Sequence, residues 1–151
     1  MSWQRRGEEK PGHDVSALSH SATGLVPPVS ILKPVQGLDR EGYQNFASMC
    51  ELDYPSYEIV VAVSDANDPV IPQIQRLQQE FPKTNIRLII GVEELGISPK
   101  TNNLCRLVNE AKYDLLVIND SDVRVEKDYL RDVVAPFADP KVGANCPFLI
   151  W

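Results

Sequence analysis

From residue 29 onward, short apolar runs rich in β-branched residues alternate with longer stretches whose apolar positions recur at helical spacing. The runs predict strands over Val29–Lys33, Glu58–Val63, Ile86–Ile90 and Asp114–Ile118, with a weaker fifth over Val142–Cys146. Between them, Arg40–Glu51 brings Tyr43, Phe46, Ala47 and Cys50 onto one helix face. Asp68-Pro69 reads as a cap plus first-turn proline for a second helix with the inner stripe Ile71, Ile74, Leu77 and Phe81. A third helix is expected over Lys100–Ala111, buried through Leu104, Leu107 and Val108, and a fourth over Glu126–Phe137. Near-continuous runs such as EIVVAV and DLLVI suit strands covered on both faces, so the expected fold is α/β, a mostly parallel sheet flanked by helices. Ligands of such sheets bind beyond the carboxyl ends of the strands. That selects Pro34–Asp39, Ser64–Asp68, Gly91–Pro99 and Asn119–Arg124.

Composition narrows the chemistry. The 151 residues are 43% hydrophobic and 24% charged, the balance of one ordinary globular domain that needs no disulfides. Residues 1–25 lack apolar periodicity and read as a disordered tail, leaving 26–151 as the folded domain, without repeats or a dividing linker. Both histidines, His13 and His20, fall in that tail, so the domain has none for a Ser-His-Asp triad or a His-ligated metal. A net charge of −6 argues against nucleic acid as a partner. No apolar run approaches the roughly 18 residues of a membrane span, and the first residues lack a signal-peptide core, so the chain itself is expected to be cytoplasmic or peripheral. Cys50, Cys105 and Cys146 are too scattered for a disulfide framework or zinc site and read as reduced core residues.

Three segments carry candidate chemistry. Asn119-Asp120-Ser121-Asp122 puts two carboxylates two residues apart where a buried strand runs out. In extended chain both would point one way and share a hard divalent cation, Mn2+ or Mg2+, completed by substrate phosphates; the alternative is that one merely caps the next helix. Asp65 is placed to accept a hydrogen bond from a nucleobase or ribose, whereas Asp68, before a proline, reads better as a helix cap. Lys100 opens the third helix, where the dipole disfavours a cation, so it either meets an anion or is a solvated surface lysine. Lys33-Pro34 is read in the same way, the proline ending the ladder so that the chain turns across a ligand. There is no GxGxxG fingerprint and no P-loop.

VSILKPVQGLD, ELDYPSYEIVVAVSDANDP, GISPKTNNL and AKYDLLVINDSDVRV resemble, in order and spacing, the donor-binding half of ceramide glucosyltransferases and their bacterial relatives, including hopanoid-associated glycosyltransferases. The resemblance covers about Pro28–Gly143. It implies a GT-A domain that binds a UDP-sugar, with a divalent metal at the Asp-x-Asp motif and a ceramide-like lipid as acceptor. Carried over by position, it makes Pro34 and Val35 the wall beside the base, Asp65 the uridine contact, Lys100 the lysine of the GxxPK segment, and Asp120 and Asp122 the two acids of the metal motif. Some ceramide glucosyltransferases have Asp-Ser-Gly here, so Asp122 looks more like the wider family of processive and lipid-directed enzymes. The second acidic motif that supplies the catalytic base, the Gln/Arg-x-x-Arg-Trp signature and the membrane helices of that family are not found up to Trp151. The expectation is therefore a donor-binding part without a catalytic base, inactive alone, of a family that is membrane-bound at full length. A non-catalytic nucleotide-sugar-binding module derived from such an enzyme is the alternative. A receiver-type signalling domain would need an acid pair after the first strand, where this chain has Lys33-Pro34.

Overall fold

The computed structural model describes residues 26–91 and 98–145. The tail with His13 and His20, the Gly96-Ile97 step of the GxxPK segment, and Cys146 lie outside the described residues. Strands β1 (Val29–Pro34), β2 (Tyr57–Val63), β3 (Asn85–Ile90) and β4 (Leu115–Ile118) alternate with helices α1 (Gly42–Cys50), α2 (Ile71–Glu80), α3 (Pro99–Glu110) and α4 (Tyr129–Val134). All strand pairs are parallel and the order is β3-β2-β1-β4. The sheet thus grows outward from β1 in one direction and then resumes with β4 on the other side, which makes the β1/β4 junction the topological switch point.

Alternation along the strands splits the core in two. Val29, Ile31 and Val35 of the first strand region, with Ile59, Val61 and Val63, join Phe46 and Met49 of α1, Ile74 and Leu77 of α2, and Leu130 and Val134 of α4. Leu32, Val60 and Ala62 face the other way onto Leu107 of α3. Helices on both faces explain why every residue of β1 is buried and why its sequence shows no polar alternation.

Four predictions are corrected. Residues 142–145 form no strand; Asn145 instead donates to the Val133 carbonyl at 3.1 Å. Helix α4 is shorter than expected, because the chain tightens into a 3₁₀ turn over Ala135–Ala138 where Pro136 has no N–H to continue the α pattern. Asp68 and Pro69 do not open α2, whose first residue is Ile71; Asp68 closes the preceding turn through its carbonyl to Ile71 N. Cys105 is exposed on α3, not in the core, whereas Cys50 is buried and its thiol is pushed up to about 12 by that burial.

Candidate functional site

The switch point carries a cleft of about 180 Å³ lined by Pro34, Val35 and Gln36 after β1, Lys100 and Asn103 from the first turns of α3, and Asp120 and Ser121 after β4. Four of the predicted site residues, Pro34, Val35, Lys100 and Asp120, therefore meet in one place. Helix α3 starts there because Ser98 is extended and accepts Thr101 N at 3.3 Å through its hydroxyl, with Pro99 pre-set for the first turn. The opening turn of a 12-residue helix then borders the cleft and favours an anion. Lys100 Nζ reaches across to Asp120 Oδ1 at 2.5 Å. The pair is well exposed, so it contributes about 0–1 kcal/mol and is readily exchanged for other partners.

Asp120 and Asp122 are not presented by extended chain as the two-residue spacing predicts. Strand β4 stops at Ile118, and Ser121 and Asp122 lie in a turn, the conformation that Asn, Asp and Ser favour once the ladder ends. Both carboxylates are exposed. Among the described residues no three His, Cys, Asp or Glu side chains gather into a ready-made metal cage. The donor set is instead one or two hard carboxylates beside an open cleft, which fits a Mg2+- or Mn2+-type ion that takes its remaining oxygens from phosphate and water.

Asp65 lies on the same sheet edge, one strand over after β2, and does not line the cleft. Its Oδ1 accepts Asn67 N at 2.8 Å, tightening its own loop. Asp68 does more than the cap read from the sequence: Oδ1 accepts Val70 N at 2.9 Å and Oδ2 accepts Gly37 N at 2.8 Å. The second bond ties the β2–α2 loop to the β1–α1 loop, where Gly37 takes the positive φ of 74° that favours glycine. Asn103 and Ser121 also line the site and were not singled out by sequence; Asn103 Oδ1 accepts the Ser64 hydroxyl at 3.0 Å.

Lys33 departs most from its sequence reading. It does not face a ligand at the strand end but is fully buried, 4.8 Å over the Phe46 ring, with Nζ donating to Asn119 Oδ1 at 3.0 Å and to the Asp120 carbonyl at 2.8 Å. Burial pushes its ammonium down to about 7, against the pull of the Asp120, Asp122 and Asp39 carboxylates, which favour the charged form.

The open parallel α/β sheet that carries this polar cleft at its switch point is shared with solved structures. A mannosyltransferase of Pyrobaculum calidifontis, determined with GDP-Man and Mn2+, matches with a TM-score of 0.70 and 25% identity over 79% of this chain and 34% of that one. TarS 1-349 of S. aureus, determined with UDP-GlcNAc, shares the fold at a TM-score of 0.56 and 21% identity, over 75% of this chain and 31% of that one. The fold is that of the GT-A glycosyltransferases. The chain belongs to glycosyl transferase family 21, whose sequence profile matches residues 5–150. It is similar to ceramide glucosyltransferase 3 of Caenorhabditis elegans, 31% identical over 108 residues that take in 72% of this chain and 24% of that protein. It is also similar to the ceramide glucosyltransferase of Komagataella phaffii, 36% identical over 108 residues, covering 66% and 21%. The chain spans about a quarter of the length of these curated relatives. Among the described residues no helix is long and apolar enough to cross a membrane.

Proposed function

We propose that this chain forms the donor side of a hexosyltransferase that moves a sugar, glucose by its resemblance, from a UDP-sugar to the hydroxyl of a ceramide-like lipid at a membrane. The observation that carries the reading is the convergence of Pro34, Val35, Lys100 and Asp120 at the β1/β4 switch point, beside the opening turn of α3. Pro34 and Val35 form an apolar wall for the base, and Lys100, released from its exposed pair, meets a phosphate together with the α3 amides. Asp65 accepts a hydrogen bond from the uridine. Asp120 and Asp122 would hold Mn2+ or Mg2+, which when bound offsets the diphosphate charge and eases departure of UDP. The nucleotide sugar and Mn2+ of the Pyrobaculum mannosyltransferase support this assignment.

Among the described residues the cleft is smaller than the roughly 300–1,000 Å³ of pockets that enclose a ligand. Among the described residues Asp120 is the only acid that lines the cleft, and this reading gives it to the metal rather than to deprotonation of an acceptor hydroxyl. The 151-residue chain is therefore expected to bind donor without transferring it. Calorimetry with UDP and Mn2+, paired with radiolabelled glucose transfer to ceramide in detergent, tests both halves. Metal-dependent UDP binding without glycolipid is the expected result; absence of UDP binding would overturn the reading of the cleft, and transfer by the chain alone would overturn its division of labour.

A further inference from the structure

The loop that bears the acids, Asn119–Val125, leaves the sheet edge and is held from below by a small set of bonds. Asn119 N continues the ladder to the Leu32 carbonyl at 3.1 Å. Asn45 Nδ2 reaches the Ser121 carbonyl at 3.4 Å, and the Ser48 hydroxyl accepts Val125 N at 3.1 Å, both from α1. Asn119 Nδ2 donates to the Tyr129 hydroxyl at 3.3 Å, which orients that amide so that its oxygen faces Lys33. Lys33 alone of these groups bonds to both Asn119 and Asp120, and it does so with a buried ammonium.

A lysine at the fifth position of a six-residue central strand carries a large desolvation cost, and an apolar residue there would complete a β1 otherwise suited to burial. What offsets the cost is specific: two oxygen acceptors, the Phe46 ring face and three carboxylates, Asp39, Asp120 and Asp122, near enough to favour its charge. All but Phe46 and Asp39 belong to the acid-bearing loop.

We propose that Lys33 is a positioning residue for the cation and diphosphate, a buried clamp that fixes the Asn119 side chain and the Asp120–Ser121 peptide and so aims the Asp120 carboxylate into the cleft. The inference rests on the reading of Asp120 as the metal and donor carboxylate. Partners that orient metal ligands from behind typically change metal affinity by about 10–100-fold when removed. Lys33 differs from the usual case in holding the ligand's backbone, leaving both carboxylate oxygens to the cleft.

Lys33→Met keeps the length and apolar stem of the side chain and removes the buried charge, so it is expected to fold; Asn119→Ala removes the other half of the clamp without touching Lys33. Two readouts are taken on the full 151-residue chain: amide hydrogen exchange without metal, and UDP affinity in Mn2+ alongside Asp120→Ala. The proposal expects Lys33→Met to speed exchange at Asn119 and Val125, the amides of this loop that are held by hydrogen bonds, while β1 and β2 stay protected, and to weaken UDP–Mn2+ binding about 10–100-fold. Asn119→Ala should move both readouts in the same direction by a smaller factor. If Lys33→Met is unfolded, the Asn119→Ala result decides alone. Unchanged loop exchange and wild-type affinity in a folded Lys33→Met, with Asp120→Ala losing UDP, would overturn the clamp and leave the site reading standing. Wild-type chain that fails to bind UDP with Mn2+ overturns both.

Discussion

The two central strands each bury one ionic group, Glu58 near the amino end of the sheet and Lys33 near the carboxyl end, and the surroundings of the two differ in kind. Glu58 is closed in on all sides. Its Oε1 accepts the Ser30 hydroxyl at 2.6 Å and Lys112 N at 2.7 Å, while Oε2 accepts Arg87 Nη1 at 3.3 Å. Arg87 in turn binds the Glu110 carbonyl at 2.8 Å and its carboxylate at 3.2 Å. Charge is matched locally, and the bonds join β1, β2 and β3 to the end of α3. Lys33 has two direct acceptors against the three donors of Glu58, and it lies beneath an open cleft whose Asp120 carboxylate is exposed. The closed network ties strands and helix together; the buried charge below the open cleft is the one that the proposal above assigns to a site. The lesson is that burial of a charged residue identifies nothing until its partners are followed to the surface.

Substitutions at the two ends should therefore separate stability from binding. The largest effect is expected from Glu58→Ala, which leaves the Arg87 guanidinium only Glu110 as a partner and leaves the Ser30 hydroxyl and Lys112 N without their acceptor. Urea unfolding should show a loss of about 3 kcal/mol, the low end for breaking a buried pair because Arg87 is partly exposed. A loss below about 1 kcal/mol would dissolve the contrast. Asp120→Ala should do the opposite. Its ion pair with Lys100 is exposed, so unfolding free energy should stay within about 1 kcal/mol of wild type. UDP affinity in Mn2+ should nonetheless fall by about 100-fold or more, at least the upper end of what losing a partner that merely orients a ligand costs. Asp122→Ala, removing the second, exposed acid, should weaken UDP–Mn2+ binding about tenfold by calorimetry, again with folding intact. The smallest effect belongs to Asp65→Asn, which preserves shape and exchanges a charged acceptor for a neutral one. It should cost about 1 kcal/mol, or roughly fivefold in UDP affinity, without altering the metal requirement. Binding like wild type would leave Asp65 only its turn bond to Asn67 N.

Local signals reached the four strands and three of the helices closely because each is a contiguous pattern: EIVVAV suits a strand covered twice, and the third helix, expected from Lys100, starts one residue earlier at Pro99. The general rule about carboxyl ends of parallel strands selected the loops that hold Pro34, Val35 and Asp120 without the strand order, Lys100 was singled out by its place in the first turn of a helix, and the base wall of Pro34 and Val35 was named by the family resemblance. What depended on that order was not readable. Lys33 was assigned to a ligand because it precedes a strand-ending proline, yet β1 is flanked by β2 and β4 and backed by Phe46, all distant in sequence. The Asp68 bond to Gly37 and the Asn103 bond to Ser64 cross 31 and 39 residues, and no spacing rule anticipates them. The fifth strand failed for the converse reason, since Val142–Asn145 has a passable local pattern but packs as irregular chain beside α4.

The central claim, that nucleotide and cation enter at the carboxyl end of the sheet beside Asp120, is tested most directly by paramagnetic broadening of amide signals on adding Mn2+ with and without UDP. With UDP present, trace Mn2+ should erase the signals of Val35, Gln36, Asn103, Asp120 and Ser121 and spare those of Glu58, Arg87 and Lys112 at the closed end. Broadening that is insensitive to UDP, or that is spread over acidic surface positions while the cleft signals persist, would contradict the account.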